Sequence, residues 1–252
     1  MTKFRGNIFI ADAHINSFGG NYDAFLLALE KASTENVRVF LLGDIFDLWF
    51  GKRKLFFPFQ SDFLSRLSRL RDEGLSIYYV EGNRDFFLSL SWPRKFFDGV
   101  TEDYIVVDAG PRKILALHGD SVNRKDRKYR FWKGLTKNTL TYSLFSLIPS
   151  PLALALAEKL ERSLKMTNIQ FRNSFPENEA RSYSQRAFNR GIDMVVVGHF
   201  HREKIIRFVE GGKTRHFVCV PAWLDGRRYF YAGENGSFGF LTFRPESPLI
   251  PE

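Results

Sequence analysis

Five short strings carry the side chains of this chain that could do chemistry: Asp12-Ala13-His14, Gly43-Asp44, Gly82-Asn83-Arg84-Asp85, His118-Gly119-Asp120 and Gly198-His199-Phe200-His201. They supply carboxylates, imidazoles and one amide, the oxygen and nitrogen donors of divalent transition metals. No thiolate accompanies them, so neither a structural zinc nor an iron–sulfur centre is indicated, and manganese, iron or zinc suits the mixture better than calcium. Asp12 and His14 lie two residues apart, as do His199 and His201. An extended exit from a strand therefore puts each pair on one side of the chain. Asp12, His14, Asp44, Asn83, His118, His199 and His201 are too many ligands for one ion that must also keep a position for water. Two ions sharing a carboxylate accommodate them.

Taken singly, each string has a plain structural reading as a surface pair, a turn or a hairpin. Together they hold four of the five histidines, and each string follows an apolar run, which is the pattern of a site. The fifth histidine, His216, stands inside a strand-like run without a partner motif and receives no role.

The elements that must position these strings alternate. Runs at 7–11, 37–42 and 76–80 are strand-like, and 22–32 and 61–72 carry apolar residues at helical spacing, which predicts an α/β sheet. Further strands are expected at 104–107, 113–117, 194–197, 205–209, 216–220, 228–231 and 238–243. Ligands of open α/β sheets gather beyond the carboxyl ends of strands, so the five strings should converge on one crevice.

Between 121 and 190 the strand signal stops, and a basic, aromatic and Leu/Ala-rich stretch reads as helices inserted between two strands of a core formed by 1–120 and 191–252. That stretch holds 14 Lys and Arg against 5 Asp and Glu, a surplus equal to the +9 of the whole chain. It calls for an anionic partner such as phosphate head groups or a nucleotide, unless it is simply a solvated basic face. Its apolar residues are either the insertion's own packing or an amphipathic lid for lipid or an apolar ligand. Residues 138–157 approach transmembrane length, but Pro149 and Pro151 split them, and no membrane span is expected. The N terminus does not read as a signal peptide, and a single cysteine, Cys219, in an apolar run fits a reducing cytoplasm.

The ordered set Asp-x-His, Gly-Asp, Gly-Asn, His-Gly and Gly-His-x-His, running from Asp12 to His201, resembles the calcineurin-like metallophosphoesterases. The resemblance implies a four-layer αββα sandwich with a dinuclear site at the sheet edge. It implies that Asp12, His14, Asp44 and His201 hold one metal, that Asp44, Asn83, His118 and His199 hold the other, and that Asp44 is the bridge. Manganese is the expected ion, and a water between the two ions would be the nucleophile. Most members carry His after Gly-Asn where this chain has Arg84, a residue too basic for a general acid but suited to gripping phosphate.

Within the superfamily, Gly82-Asn83-Arg84-Asp85-Phe86, the upstream Gly43-Asp44-Ile45-Phe46-Asp47-Leu48-Trp49, and Asp126, Tyr129 and Trp132 after His118 are similar to the UDP-2,3-diacylglucosamine pyrophosphatase family of lipid A biosynthesis. That similarity implies catalytic roles for Asp44, Asn83, Arg84 and His118, and substrate contacts from Asn83, Arg84, Asp126, Ser163 and His199. It further implies a helical lid for acyl chains, a lipid-linked nucleotide sugar as substrate and a peripheral position on the cytoplasmic face of the inner membrane. The chain departs from the family's lid pattern: Ser163 is followed by Lys165 and Asn168 at other spacings, and Pro221-Ala222-Trp223 matches the family's Gly-Ala-Trp only loosely. A paralogue acting on another nucleotide-linked or lipid phosphodiester is the alternative, and nucleic acid is not an expected partner.

Overall fold

The computed structural model describes residues 4–16, 22–51, 57–91, 95–123, 134, 137–149, 152, 155, 159 and 175–251. The first apolar run forms β1 (Gly6–Ile10), buried along its whole length as a strand covered on both faces must be. After it come α1 (Tyr22–Thr34), β2 (Val37–Leu41), β3 (Trp49–Phe50), α2 (Pro58–Asp72), β4 (Ile77–Val80), β5 (Asp85–Phe86), α3 (Leu88–Ser91), β6 (Gly99–Thr101), β7 (Ile105–Ala109) and β8 (Arg112–Leu117). The second part contributes α4 (Thr139–Leu147), α5 (Glu177–Phe188), β9 (Met194–Val197), β10 (Lys204–Glu210), β11 (Lys213–Cys219), β12 (Arg228–Gly233) and β13 (Phe238–Thr242).

Two mixed sheets result. One has the order β13-β12-β1-β2-β4-β6, with β1, β2, β4 and β6 mutually parallel and β12 and β13 added antiparallel at one side. The other has the order β10-β11-β9-β8-β7, parallel through β11, β9 and β8 and closed by antiparallel strands at both edges. Their inner faces meet through Phe9, Phe40, Val80 and Phe230 on one side and Ile114, Met194, Val196 and Val218 on the other. Phe9 and Phe40, on neighbouring strands, stack with ring centroids 5.1 Å apart.

Phe25, Leu29, Phe63 and Leu67 of α1 and α2 cover the outer face of the first sheet, and Ala180, Ala187 and Phe188 of α5 cover the second. The layers are therefore helix, sheet, sheet, helix, the sandwich expected from the motif order. α5 packs on β9 and β11, and ahead of it the ring of Phe175 lies 6.0 Å from that of Phe217.

Within 121–190, α4 stops two residues before Pro149, whose ring disfavours helical backbone at the residue preceding it. Leu140, Leu144 and Leu147, spaced to share a helix face, are 69%, 58% and 80% exposed. No helix among the described residues is long and apolar enough to cross a membrane. Asp126 and Ser163, together with Tyr129, Trp132, Lys165 and Asn168, lie outside the described residues.

Candidate metal centre

The ligand strings leave the carboxyl ends of β1, β2 and β4 in one sheet and of β8 and β9 in the other. Backbone bonds interlock them: Asp12 N–H donates to Gly43 O at 3.1 Å, His14 N–H to Asp44 O at 3.1 Å, and Gly198 N–H to His118 O at 2.8 Å. The sheets are joined at the site itself, where His199 N–H donates to Asp12 Oδ2 at 2.8 Å. Gly198 permits that approach, because a Cβ there would lie 2.5 Å from the Ala11 Cβ and 2.9 Å from Asp12 Oδ2. Asp12, His14, Asp44, His199 and His201 all adopt left-handed backbone, with φ of 54°, 47°, 53°, 69° and 51°. Such conformations are costly for residues with a Cβ and gather where function fixes the side-chain direction.

All seven sequence-predicted ligands are brought together. Donor atoms of Asp12, His14 and His201 lie within 4.8 Å of one another, as do those of Asp12, Asp44 and His118, so Asp12 is the carboxylate common to both groups. The amide Oδ1 of Asn83 stands 3.0 Å from His118 Nε2 and 3.1 Å from His199 Nδ1, and those two nitrogens are 3.2 Å apart. On the opposite side His14 Nε2 and His201 Nε2 are 3.4 Å apart. His118 Nδ1 lies 2.7 Å from the carbonyl of Leu42, which can only accept, so the proton sits on Nδ1 and the Nε2 lone pair faces the cluster.

These groups are buried, and charge within the cluster is mutually compensated. Burial alone would raise the Asp12 carboxyl, but the imidazoles of His201, His118 and His14 outweigh it and hold the group well below the usual carboxylate range. Burial opposes protonation of His118, yet Asp44 and Asp12 raise its affinity for a proton; for His201 burial is likewise outweighed by Asp12. His199, pushed down by burial and then by His118, titrates at about 4. Asp12 Oδ1 is buried, hydrogen-bonds to no described residue and lies 3.5 Å from His201 Nε2. A buried carboxylate oxygen facing imidazole nitrogens is what a cation requires, and the donor set fits divalent metal.

Behind the ligands stand acids that the ligand spacing does not reveal. Asp85 Oδ2 accepts from Gly82 N–H at 2.7 Å, Asp44 N–H at 3.0 Å and the Tyr79 hydroxyl at 2.9 Å, tying the loops after β2 and β4 together. Burial, and next the Asp44 carboxylate, raise Asp85 to about 6. Asp47 lies among His14, Asn16 and Arg84. Arg84 is itself buried: its amide N–H donates to Asp44 Oδ1 at 2.9 Å and its Nε lies 3.9 Å from Asp44 Oδ2. Lys137 Nζ donates to the carbonyl of Gly82. The signal for Asp47 and Asp85 was their place in the same short strings as Asp44 and Asn83; nothing in the sequence marks Lys137 out from its basic neighbours.

A family model described as Calcineurin-like phosphoesterase matches residues 8–203, an interval that holds every ligand string. The chain belongs to that family. As a calcineurin-like phosphoesterase it is a metal-dependent phosphoesterase, and the constellation above is its candidate metal centre. Curated relatives named UDP-2,3-diacylglucosamine hydrolase align over most of its length. The protein of Neisseria meningitidis serogroup C is 30% identical over 85% of this chain and 88% of its own. That of Serratia proteamaculans is 26% identical over 86% and 90%, and that of Pseudomonas putida 26% identical over 94% and 98%. A solved structure described as a novel archaeal phosphodiesterase aligns over 94% of this chain and 99% of its own at 12% identity, with a TM-score of 0.48.

Proposed function

We propose that this calcineurin-like phosphoesterase cleaves the pyrophosphate bond of UDP-2,3-diacylglucosamine, giving UMP and 2,3-diacylglucosamine 1-phosphate. The observation that carries the proposal is the pairing of a buried multi-histidine metal centre with Arg84, whose guanidinium lies beside Asp44. Relatives named for that substrate, with the match extending nearly end to end, support the choice of pyrophosphate.

Two divalent ions, manganese in our proposal, held by Asp12, His14, Asp44 and His201 and by Asp44, Asn83, His118 and His199, would supply Lewis-acid activation of a water and neutralise charge on the phosphoryl oxygens. The residues of the chain do the rest. Arg84 offers a forked donor to the diphosphate and offsets negative charge as the anhydride opens. It cannot act as a general acid, and none is required, because UMP leaves as a weakly basic phosphate. Water oxygen joins one phosphorus, the anhydride P–O bond breaks, and the released protons pass to solvent. The carbonyl of Leu42 holds the His118 proton on Nδ1 and keeps Nε2 aimed at the centre. His199 and Asn83 face the same space and would meet the substrate phosphates.

The exposed leucine face of α4 and the basic surplus of 121–190 support a further part of the proposal: an apolar lid for the acyl chains, contributed to by Ser163 and Asp126, and a peripheral seat on the cytoplasmic face of the inner membrane. Incubation of UDP-2,3-diacylglucosamine with the protein and added manganese should release UMP and the acylated sugar phosphate in equal amounts. Asp44→Ala should lose both turnover and bound metal. Cleavage of a simple nitrophenyl diester without cleavage of the acylated UDP-sugar would leave the phosphoesterase and overturn the substrate.

A further inference from the structure

We propose that Asp47 is a positioning residue that ties the metal-holding imidazole of His14 to the guanidinium of Arg84, so that one buried carboxylate sets both metal affinity and the aim of the phosphate-binding arginine. The assignment presupposes the metal-holding role proposed above for His14. Asp47 sits three residues after Asp44, where the chain turns from β2 toward β3, and is 3% exposed. Its Oδ1 accepts from Arg84 Nη1 at 3.3 Å and lies at the same 3.3 Å from His14 Nδ1 without hydrogen-bonding to it, and its Oδ2 accepts from Asn16 Nδ2 at 2.8 Å. The backbone holds it there, since Asp47 N–H donates to Ile15 O at 3.0 Å and Ile15 N–H to Ile45 O at 2.9 Å.

The geometry divides the imidazole of His14 between two tasks. Nε2 faces His201 and the cluster, whereas Nδ1 faces Asp47. A carboxylate behind a ligating imidazole fixes its tautomer, orients its ring and makes the ligating nitrogen more basic. Here the same oxygen is shared with a cation. Whatever Asp47 gives to Arg84 is withdrawn from His14, and a substrate phosphate that draws Arg84 toward itself frees the oxygen for the imidazole. Metal grip and phosphate grip are thereby linked through one atom, and linkage of this kind is reciprocal.

The test is manganese binding to the metal-free protein by titration calorimetry, in wild type, Asp47→Asn, Arg84→Met and the double variant. Asp47→Asn keeps the size of the side chain and removes its charge. It should weaken manganese binding at the site held by His14 by about 10- to 100-fold, the usual effect of deleting such a support. Arg84→Met should tighten that site several-fold in the wild-type background and have a clearly smaller effect when residue 47 is Asn. Additive effects, or an unchanged manganese affinity in Asp47→Asn, would overturn the link. Should Asp47→Asn not fold, Arg84→Met alone decides, and unchanged or weaker manganese binding rejects the proposal. Absence of manganese binding in the wild type is a different result, one that removes the proposed function itself.

Discussion

At the residue scale the question is what each buried polar group contributes beyond the ligands themselves. Arg84→Ala should lower turnover by about 10- to 1000-fold, comparable to deleting one charge-stabilising group, while the metal content is retained. Parallel kinetics and metal analysis check it, and an unchanged rate would make Arg84 structural. His216, to which the sequence assigns no role, offers a pH test away from the centre. Burial and then Arg112 and Arg207 lower its proton affinity, and its ring lies 4.9 Å from that of Phe238. The unfolded chain, with a His value of about 6.5, therefore binds the proton more tightly, so stability contributed by neutral His216 is present above that pH and is lost as pH falls toward the folded value. His216→Phe should flatten the fall in melting temperature between about pH 7 and pH 5. Comparing the two proteins isolates His216 from the titrating histidines of the centre, and identical slopes would show that the residue is not linked to folding.

At the scale of elements, the glycines at the strand ends set how closely the ligand loops approach. A Cβ on Gly82 would lie 2.2 Å from Asp44 Oδ1 and 2.7 Å from the Asp44 amide. Gly82→Ala should therefore displace Asp44 and lower metal content, with a melting temperature lower by several degrees, although residue 82 supplies no ligand atom; metal analysis beside a melting curve reads both, and full occupancy would refute it. The strands that carry ligands are legible in the sequence because each is a short apolar run ending in a polar string, and β9 (Met194–Val197) falls on the apolar run expected to form it. β3 and β5, two residues each, are not legible: no period can be read in so short a segment, and only their pairing of Trp49 with Asp85 and Phe50 with Phe86 makes them strands. The helix α5 shows the converse. Its helical character is readable, but that it covers the second sheet depends on contacts of Ala180 and Phe188 with strands distant in sequence.

At the scale of the whole molecule, the centre is a junction between two sheets whose gathered donor atoms a bound cation would tie together. Removing metal with a chelator should lower the melting temperature, and adding manganese in excess should restore it by mass action; a melting temperature indifferent to both would mean that the ligands are not occupied. The convergence of the seven proposed ligands was legible in the sequence, since their type and order survive there, whereas Asp126 and Ser163 lie outside the described residues. What could not be read is depth: the burial of Arg84, the sharing of Asp47 and the reach of Lys137 follow from packing, which no local string encodes. The bond from His199 N–H to Asp12 Oδ2 joins residues 187 positions apart. Contacts so distant in sequence are slow to form, because the intervening chain must be ordered before they are rewarded. Each half of the centre draws donors from both sheets, so a refolding chain completes its ligand set only when the sheets have closed, and the onset of tight metal uptake should report that closure.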